Sequence, residues 1–265
     1  MTAKILVIDI ERQSGLVDGV WEGKQWGNWI PHNRVIEPPR TICFAYRWMH
    51  EARTKFVAEW QGNLAQDNES YTPGGGHRVM IEKAHAVLDA ADYVVGWNSR
   101  GFDTKHLRAA FWYYDILPPS PHVDIDLMLQ LKRNFQTYSR SMSFAAEVKG
   151  MDGKESTQSG LWRKLRFAKG KELREAQRDM KLYNSRDIDQ TIELFEDMRP
   201  WLSGINLGLY TDDEDPQCTN CESKEIHYRG YQPGTSYRYH RYVCLACGKW
   251  GRDTGSESKT KVVGI

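Results

Sequence analysis

The sequence predicts an α/β fold: a mixed sheet flanked by helices, followed by a small second module at the C-terminal end. Three observations predict it. Residues 4–10 are a β-branched run with the composition of a buried strand. Segments with strand character and hairpin spacing come first, and strands alternating with helical periodicity follow, which is the order of a mixed sheet. Beyond an acidic, proline-ended stretch at 211–216, the composition changes to cysteine, tyrosine and arginine, which marks a boundary.

The elements follow in chain order. Residues 12–40 read as irregular, broken by Gly15, Gly19, Gly23, Gly27, Pro31, Pro38 and Pro39. This stretch also carries Trp21, Trp26 and Trp29, whose expected role is packing over the sheet edge, with stacking on a base as the alternative. Residues 41–48 and 54–60 read as two further strands, and 61–77 as a polar connection through Gly74, Gly75 and Gly76. Helical periodicity covers 79–91, a buried strand 92–97, a helix 102–113 and a short strand 122–125. Further helices are expected over 126–135, 143–149 and 171–198, the last closed by Pro200.

The chain has 265 residues, enough for one sizeable domain at 1–205, an acidic linker at 206–216 and a small module at 217–265. Hydrophobic residues make up 40% and aromatic residues 12%, which suits a packed core. A net charge of +1 gives no global attraction to a polyanion, so local charge must carry any such argument. No apolar run is long enough to span a bilayer. Asp9 interrupts the N-terminal apolar run too early for an export signal. The expected compartment is therefore the cytoplasm, where paired cysteines favour a metal over a disulfide.

Three carboxylate motifs stand out. Asp9 and Glu11 are two apart on a strand and so share a face. Two acids on one face of a core strand are costly unless a positive charge meets them, and a hard divalent cation would do so. The plain alternative ends the strand at Ile8 and leaves both acids in water. Asp103 follows the 92–97 strand and opens a helix, where an acid also merely complements the helix dipole. Asn98 is placed to cap this turn. Tyr183 and Asp187 are four apart on a helix and share a face, with Asp179 and Asp189 as nearby decoys. Asp124 and Asp126 form a further pair, expected to be structural or to line a rim. His85, His106 and His122 have no partner at ligand spacing.

These segments resemble the three motifs of the DEDD (DnaQ-like) 3′–5′ exonucleases. The matching residues are Asp9-x-Glu11, then Asn98-x-x-x-Phe102-Asp103 followed by Leu107, then Tyr183-x-x-x-Asp187. The histidine branch of that superfamily has His five residues before the last aspartate. Leu182 stands there, which selects the tyrosine branch. The resemblance covers roughly residues 4–202; the stretch from Trp26 to Trp48 departs from compact proofreading domains and looks more like phage-encoded relatives, for which the compartment is the host cytoplasm. It implies a ribonuclease H-like fold. It implies Asp9, Glu11, Asp103 and Asp187 as ligands of two catalytic Mg²⁺ or Mn²⁺ ions and Tyr183 as the residue that orients the attacking water. Asn98 and Phe102 become expected nucleic-acid contacts.

Cys218-x-x-Cys221 and Cys244-x-x-Cys247 supply four thiolates for one structural Zn²⁺. The 22 residues between the pairs call for a hairpin with a long loop around 230–234. Cys43 is left over as a buried thiol. The segment resembles a zinc ribbon, and its half from Tyr242 to Trp250 resembles ribbons of nucleic-acid-handling proteins. Between Cys218 and Arg252 there are six Lys or Arg against two Glu. Arg238, Tyr239, Arg241 and Lys249 are the expected contacts to phosphates and bases, although so small a module also needs tyrosines for its own core. A second basic stretch, 163–181, holds eight Lys or Arg and three acids, and reads equally as a solvated helix face or a rim facing DNA.

The leading expectation is a metal-dependent 3′–5′ exonuclease acting on DNA, at a single-stranded or frayed 3′ end, with a zinc ribbon that grips nucleic acid. Such a chain either acts alone or serves a separate polymerase or recombination protein. The alternatives are an exoribonuclease and a nucleic-acid-binding adaptor whose nuclease-like domain is inactive.

Overall fold

The computed structural model describes residues 2–18, 30–61, 76–151, 160–213 and 215–257; Trp21, Trp26 and Trp29 lie outside them. The early elements are β1 (Ile5–Gln13), β2 (Leu16–Val17), β3 (Val35–Glu37), β4 (Arg40–Trp48), β5 (Lys55–Ala58) and α1 (Gly76–Asp89). Then come β6 (Tyr93–Gly96), α2 (Asp103–Tyr113), β7 (Val123–Asp126), α3 (Leu127–Asn134), α4 (Met142–Val148), α5 (Leu161–Phe167) and α6 (Gly170–Met198). The last three strands are β8 (Ile226–Pro233), β9 (Arg238–Cys244) and β10 (Trp250–Arg252).

The main sheet has five strands in the order β5-β4-β1-β6-β7. β4 runs antiparallel to both β5 and β1, whereas β6 is parallel to β1 and β7 to β6. Parallel neighbours need crossover connections, and α1 and α2 supply them in sequence. The expected mixed sheet flanked by helices is therefore present.

Side chains alternate across β1. Leu6, Ile8 and Ile10 join α1 and α2 in one core cluster with Met80, Ile81, Leu107 and Phe111. Ile5 and Val7 face the other way, toward Ile188, Leu194, Phe195 and Met198 of α6. Asp9 and Glu11 continue this second row, and the strand carries on to Gln13 rather than ending at Ile8.

α6 is 29 residues long, about 43 Å at the helical rise. Its inward stripe is apolar at both ends. Ala176 and Met180 pack on Ile42, Cys43 and Ala58, while Ile188 to Met198 pack on the start of β1. Between these apolar ends lie the fully buried Asn184 and nearly buried Asp187.

The structure refines several sequence boundaries. The strand expected over 54–60 spans Lys55–Ala58. The basic stretch at 163–181 falls in two helices, α5 and α6, separated by Ala168 and Lys169; α6 opens at Gly170, whose left-handed φ of 58° suits glycine.

The C-terminal module is a three-stranded antiparallel sheet in the order β10-β9-β8. The long gap between its cysteine pairs is taken up differently from the expected loop at 230–234. β8 and β9 are long strands, Gly230 sits inside β8 at a bulge between Tyr228 and Tyr231, and the turn closes through a Gly234 N–H to Tyr237 carbonyl bond of 2.7 Å. The acidic stretch expected as a linker is packed down. Leu207 is buried in the α6-side core and its N–H donates to the Thr219 carbonyl at 2.7 Å, and Asp213 and Asp215 both pair with Lys224. No helix among the described residues is long and apolar enough to cross a membrane.

Candidate functional site

Carboxylate oxygens of Asp9, Glu11 and Asp187 lie within 4.8 Å of one another. β1 brings the first two to one face, and α6 crosses that face with Asp187 on its inward stripe. Three acids this close repel one another at neutral pH, and hard oxygen donors of this kind suit Mg²⁺ or Mn²⁺. The donor set and its spacing therefore fit a divalent cation.

Asn184 is the residue the sequence reading missed. Its side-chain N–H donates to Asp9 Oδ2 at 2.6 Å and more weakly to the Asp9 carbonyl at 3.3 Å. It lies one helical turn before Asp187, so α6 both contributes an acid and holds another in place. An amide on the buried stripe of a long helix is the signal that could have revealed it.

Tyr183, next to Asn184, sits where α5 meets α6. Its ring meets Trp162 edge-on at 5.8 Å and packs against the cluster of Ile42, Cys43 and Met180. Cys43, directly across from Glu11 on β4, is a buried thiol whose pKa is raised by burial and by the charges of Glu11 and Asp9. The decoy Asp189 points elsewhere, held by Arg47 at 3.0 Å and Thr54 at 3.1 Å.

Asp103 lies outside the group of carboxylates within 4.8 Å of one another. Its Oδ1 accepts the N–H of Ile10, the residue between Asp9 and Glu11, at 3.0 Å. Burial pushes its pKa up to about 7, against that hydrogen bond and with Asp126 and Asp124 adding to the rise. In this arrangement Asp103 braces the backbone that carries the other two acids.

The loop before Asp103 is built on Asp126. That carboxylate accepts the N–H groups of Asn98 at 3.1 Å and Arg100 at 3.2 Å, and also caps α3 by accepting from Leu129 at 3.2 Å. Asn98 takes a left-handed φ of 60°, which asparagine tolerates better than most residues. The loop leaves Phe102 partly exposed, with His106 edge-on to it at 4.6 Å and Arg12 3.0 Å from the His106 ring. His122 lies 4.0 Å from Asp124, and His85 contacts the Leu117 carbonyl at 2.9 Å, so neither belongs to the carboxylate group.

A cavity of about 570 Å³ opens beyond Glu11, lined by Gln13, Arg40, Glu59, Trp60, Arg166 and Lys169 among others. Arg40 and Glu59 form a two-pronged ion pair on its wall at 2.8 and 3.0 Å. Burial raises the Glu59 pKa against the pull of Arg40.

The second centre is thiol-rich. The sulfur atoms of Cys218, Cys221, Cys244 and Cys247 all lie within 4.8 Å of one another, with Cys218–Cys247 and Cys221–Cys244 at 3.6 Å. A tetrahedron with Zn–S bonds of about 2.3 Å has edges of about 3.8 Å. The cage therefore fits zinc, and soft thiolates favour it. Burial raises the Cys218 thiol to about 11; at Cys247 burial is outweighed by hydrogen bonds from Asn220 and the Lys249 N–H, and the thiol falls to about 7.

This cage is fixed to the end of α6. Asn220 donates to the Arg199 carbonyl at 3.0 Å and to Cys247 Sγ at 3.6 Å, and its own carbonyl accepts from the Arg199 guanidinium at 2.6 Å. Lys249, expected to meet nucleic acid, instead donates to the Leu202 carbonyl. Arg238 is likewise committed within the module, to Glu257 at 2.9 Å. No protein-family model matches this chain, and no curated protein matches it in sequence.

Proposed function

We propose that the chain is a metal-dependent 3′–5′ exonuclease of the DEDD type, tyrosine branch, with a ribonuclease H-like body and a C-terminal zinc ribbon. The observation that carries the reading is the convergence of Asp9, Glu11 and Asp187 within 4.8 Å, although Glu11 and Asp187 are 176 residues apart in the chain. Divalent cations bound there would supply an acidified water and neutralise charge at the scissile phosphate.

The chain's own residues do the rest. Asp9, Glu11 and Asp187 provide the anionic oxygens that hold the cations. Asn184 fixes Asp9, and Asp103 fixes the β1 backbone at Ile10. Tyr183 packs edge-on to Trp162, and its hydroxyl serves to orient the attacking water rather than to act as a base. Phe102, exposed beside the α2 start, is available to stack on a base.

The test is incubation of purified protein with 3′-labelled single-stranded DNA and Mg²⁺ or Mn²⁺, beside an RNA strand of equal sequence. Stepwise release of mononucleotides that disappears in Asp9→Ala supports the proposal. Activity that survives Asp9→Ala sinks it, and preference for the RNA strand makes the enzyme an exoribonuclease. The position of Asp103 outside the carboxylate group favours one second reading, an inactive nuclease-like domain in a binding adaptor. Titration with Mn²⁺ separates the two: saturable binding lost in Asp187→Ala supports the enzyme, and its absence in the parent supports the adaptor.

A further inference from the structure

The strands of the C-terminal sheet contain four arginines and two histidines and no Asp or Glu. Their register divides these residues between two faces. Tyr228, Tyr231, His240 and Tyr242 form a connected row of rings on one face, with Tyr242 and Cys244 buried. The acids that follow β10 serve this same face. Asp253 accepts from the Tyr228 hydroxyl at 2.9 Å, and Glu257 pairs with Arg238 and His240 at 2.9 and 3.4 Å. On this face the module buries Tyr242 and Cys244, and its charge is neutralised by Glu257.

The opposite face carries Tyr239, Arg241, Trp250 and Arg252, together with Val243. Arg252 lies over the Tyr239 ring at 3.7 Å and Arg241 over the Trp250 ring at 5.4 Å. Arg241 is held across the bulge by donating to the Arg229 carbonyl at 2.8 Å, above Gly230, where an added Cβ would sit 3.4 Å from its guanidinium. Trp250 is 47% exposed, and Arg241 and Arg252 are exposed. Guanidinium planes and aromatic rings thus alternate on an open surface, and no strand residue there neutralises them.

We infer that this face, centred on Tyr239, Arg241, Trp250 and Arg252, binds a single-stranded nucleic acid. The occupant follows from the chemistry. Arginines offer paired donors to phosphate, and rings offer stacking surfaces to bases. Paired bases inside a duplex show only their edges, so stacking of this kind selects unpaired strands. The inference rests on the nuclease reading only for why the chain would need to hold a polynucleotide. It replaces Arg238 and Lys249, which point elsewhere, with Trp250 and Arg252.

The experiment is fluorescence anisotropy with a labelled oligothymidylate of about 20 nucleotides, its RNA counterpart and a blunt duplex. The protein is the full chain in the Asp9→Ala background, so that the strand stays intact. Zinc content is checked for every variant, which shows that the module is folded. Trp250→Ala is expected to weaken single-strand binding about 5- to 150-fold. Arg241→Ala with Arg252→Ala is expected to lower the slope of log affinity against log salt by about 1.4, the value for two lost phosphate contacts on a single strand. Arg252→Lys, which keeps charge but not the planar stack, should fall between parent and alanine. Arg238→Ala, on the opposite face and paired with Glu257, should bind as the parent does. Zinc-replete variants that leave affinity and salt slope unchanged would overturn the inference, as would tighter binding of the duplex than of the single strand. The change in anisotropy on substituting Trp250, Arg241 and Arg252 reports on this face, whereas nucleotide release by the parent reports on the carboxylate site, so each reading can fail without the other.

Discussion

Asn184 offers the sharpest test of how the carboxylate group is held. Its amide N–H lies 2.6 Å from Asp9 Oδ2, and the side chain is fully buried. A hydrogen bond to a charged group contributes about 1.5–3 kcal/mol. Asn184→Leu keeps most of the volume and removes the donor, whereas Asn184→Ala removes both. Loss of the bond should lower the melting temperature by about 3–12 °C, taking about 2–4 °C per kcal/mol for a domain of this size. The second effect is on the cations. With Asp9 unrestrained, the three acids splay to relieve their repulsion, and divalent affinity should fall about 10–100-fold, the usual consequence of losing an outer hydrogen bond to a ligand. Calorimetric titration with Mn²⁺ and thermal unfolding of the metal-free protein measure the two effects separately. If Asn184→Leu binds Mn²⁺ within about twofold of the parent and melts at the same temperature, Asn184 is not the residue that organises Asp9.

Three further outcomes follow from other parts of the molecule. Metal analysis should find about one zinc per chain, and Cys218→Ser or Cys244→Ser should abolish it, since structural sites use all four ligands. Arg40→Ala should destabilise the body by about 3–5 kcal/mol in urea unfolding, because it leaves Glu59 as an unpaired buried acid; the double variant Arg40→Met with Glu59→Leu should recover most of that loss. His77, buried and 2.6 Å from the Tyr114 hydroxyl, has its pKa lowered to about 4 by burial and by Arg40. The unfolded chain takes up this proton near pH 6.5 and the folded one does not. Stability from this group is therefore full above pH 6.5 and is lost as pH falls toward 4, by about 3 kcal/mol. His77→Leu should flatten that part of the stability-versus-pH curve.

The parts of this structure that were legible in the sequence are those written as local pattern. Residues 4–10 announced a strand because a β-branched run suits a sheet buried on both faces, and β1 is such a strand. The spacing of Asp9 and Glu11 gave their shared face, and that of Tyr183 and Asp187 placed both on α6. Paired cysteines gave the cage. What escaped depends on long-range register. Asp103 was expected as a further ligand from its place at a strand end; that its Oδ1 accepts the Ile10 N–H, 93 residues away, is written in no local pattern. Arg238 and Arg241 looked equivalent in sequence, but the strand period of two sends them to opposite faces, one to meet Glu257 and the other to meet Trp250. α5 buries Leu161 alone, so no apolar stripe marks it in the sequence.

α6 carries Asp187 within its length and hands the chain to Arg199, which anchors the cysteine cage through Asn220. The two centres therefore share one helical phase. Inserting a single residue between them would swing the cage around the helix axis by about 100° while advancing it only about 1.5 Å. Inserting seven would bring it back to within about 20° of its present bearing, about 10 Å farther along. Chain length in this segment is thus free to vary only in near-whole turns if both centres are to keep their present relative bearing.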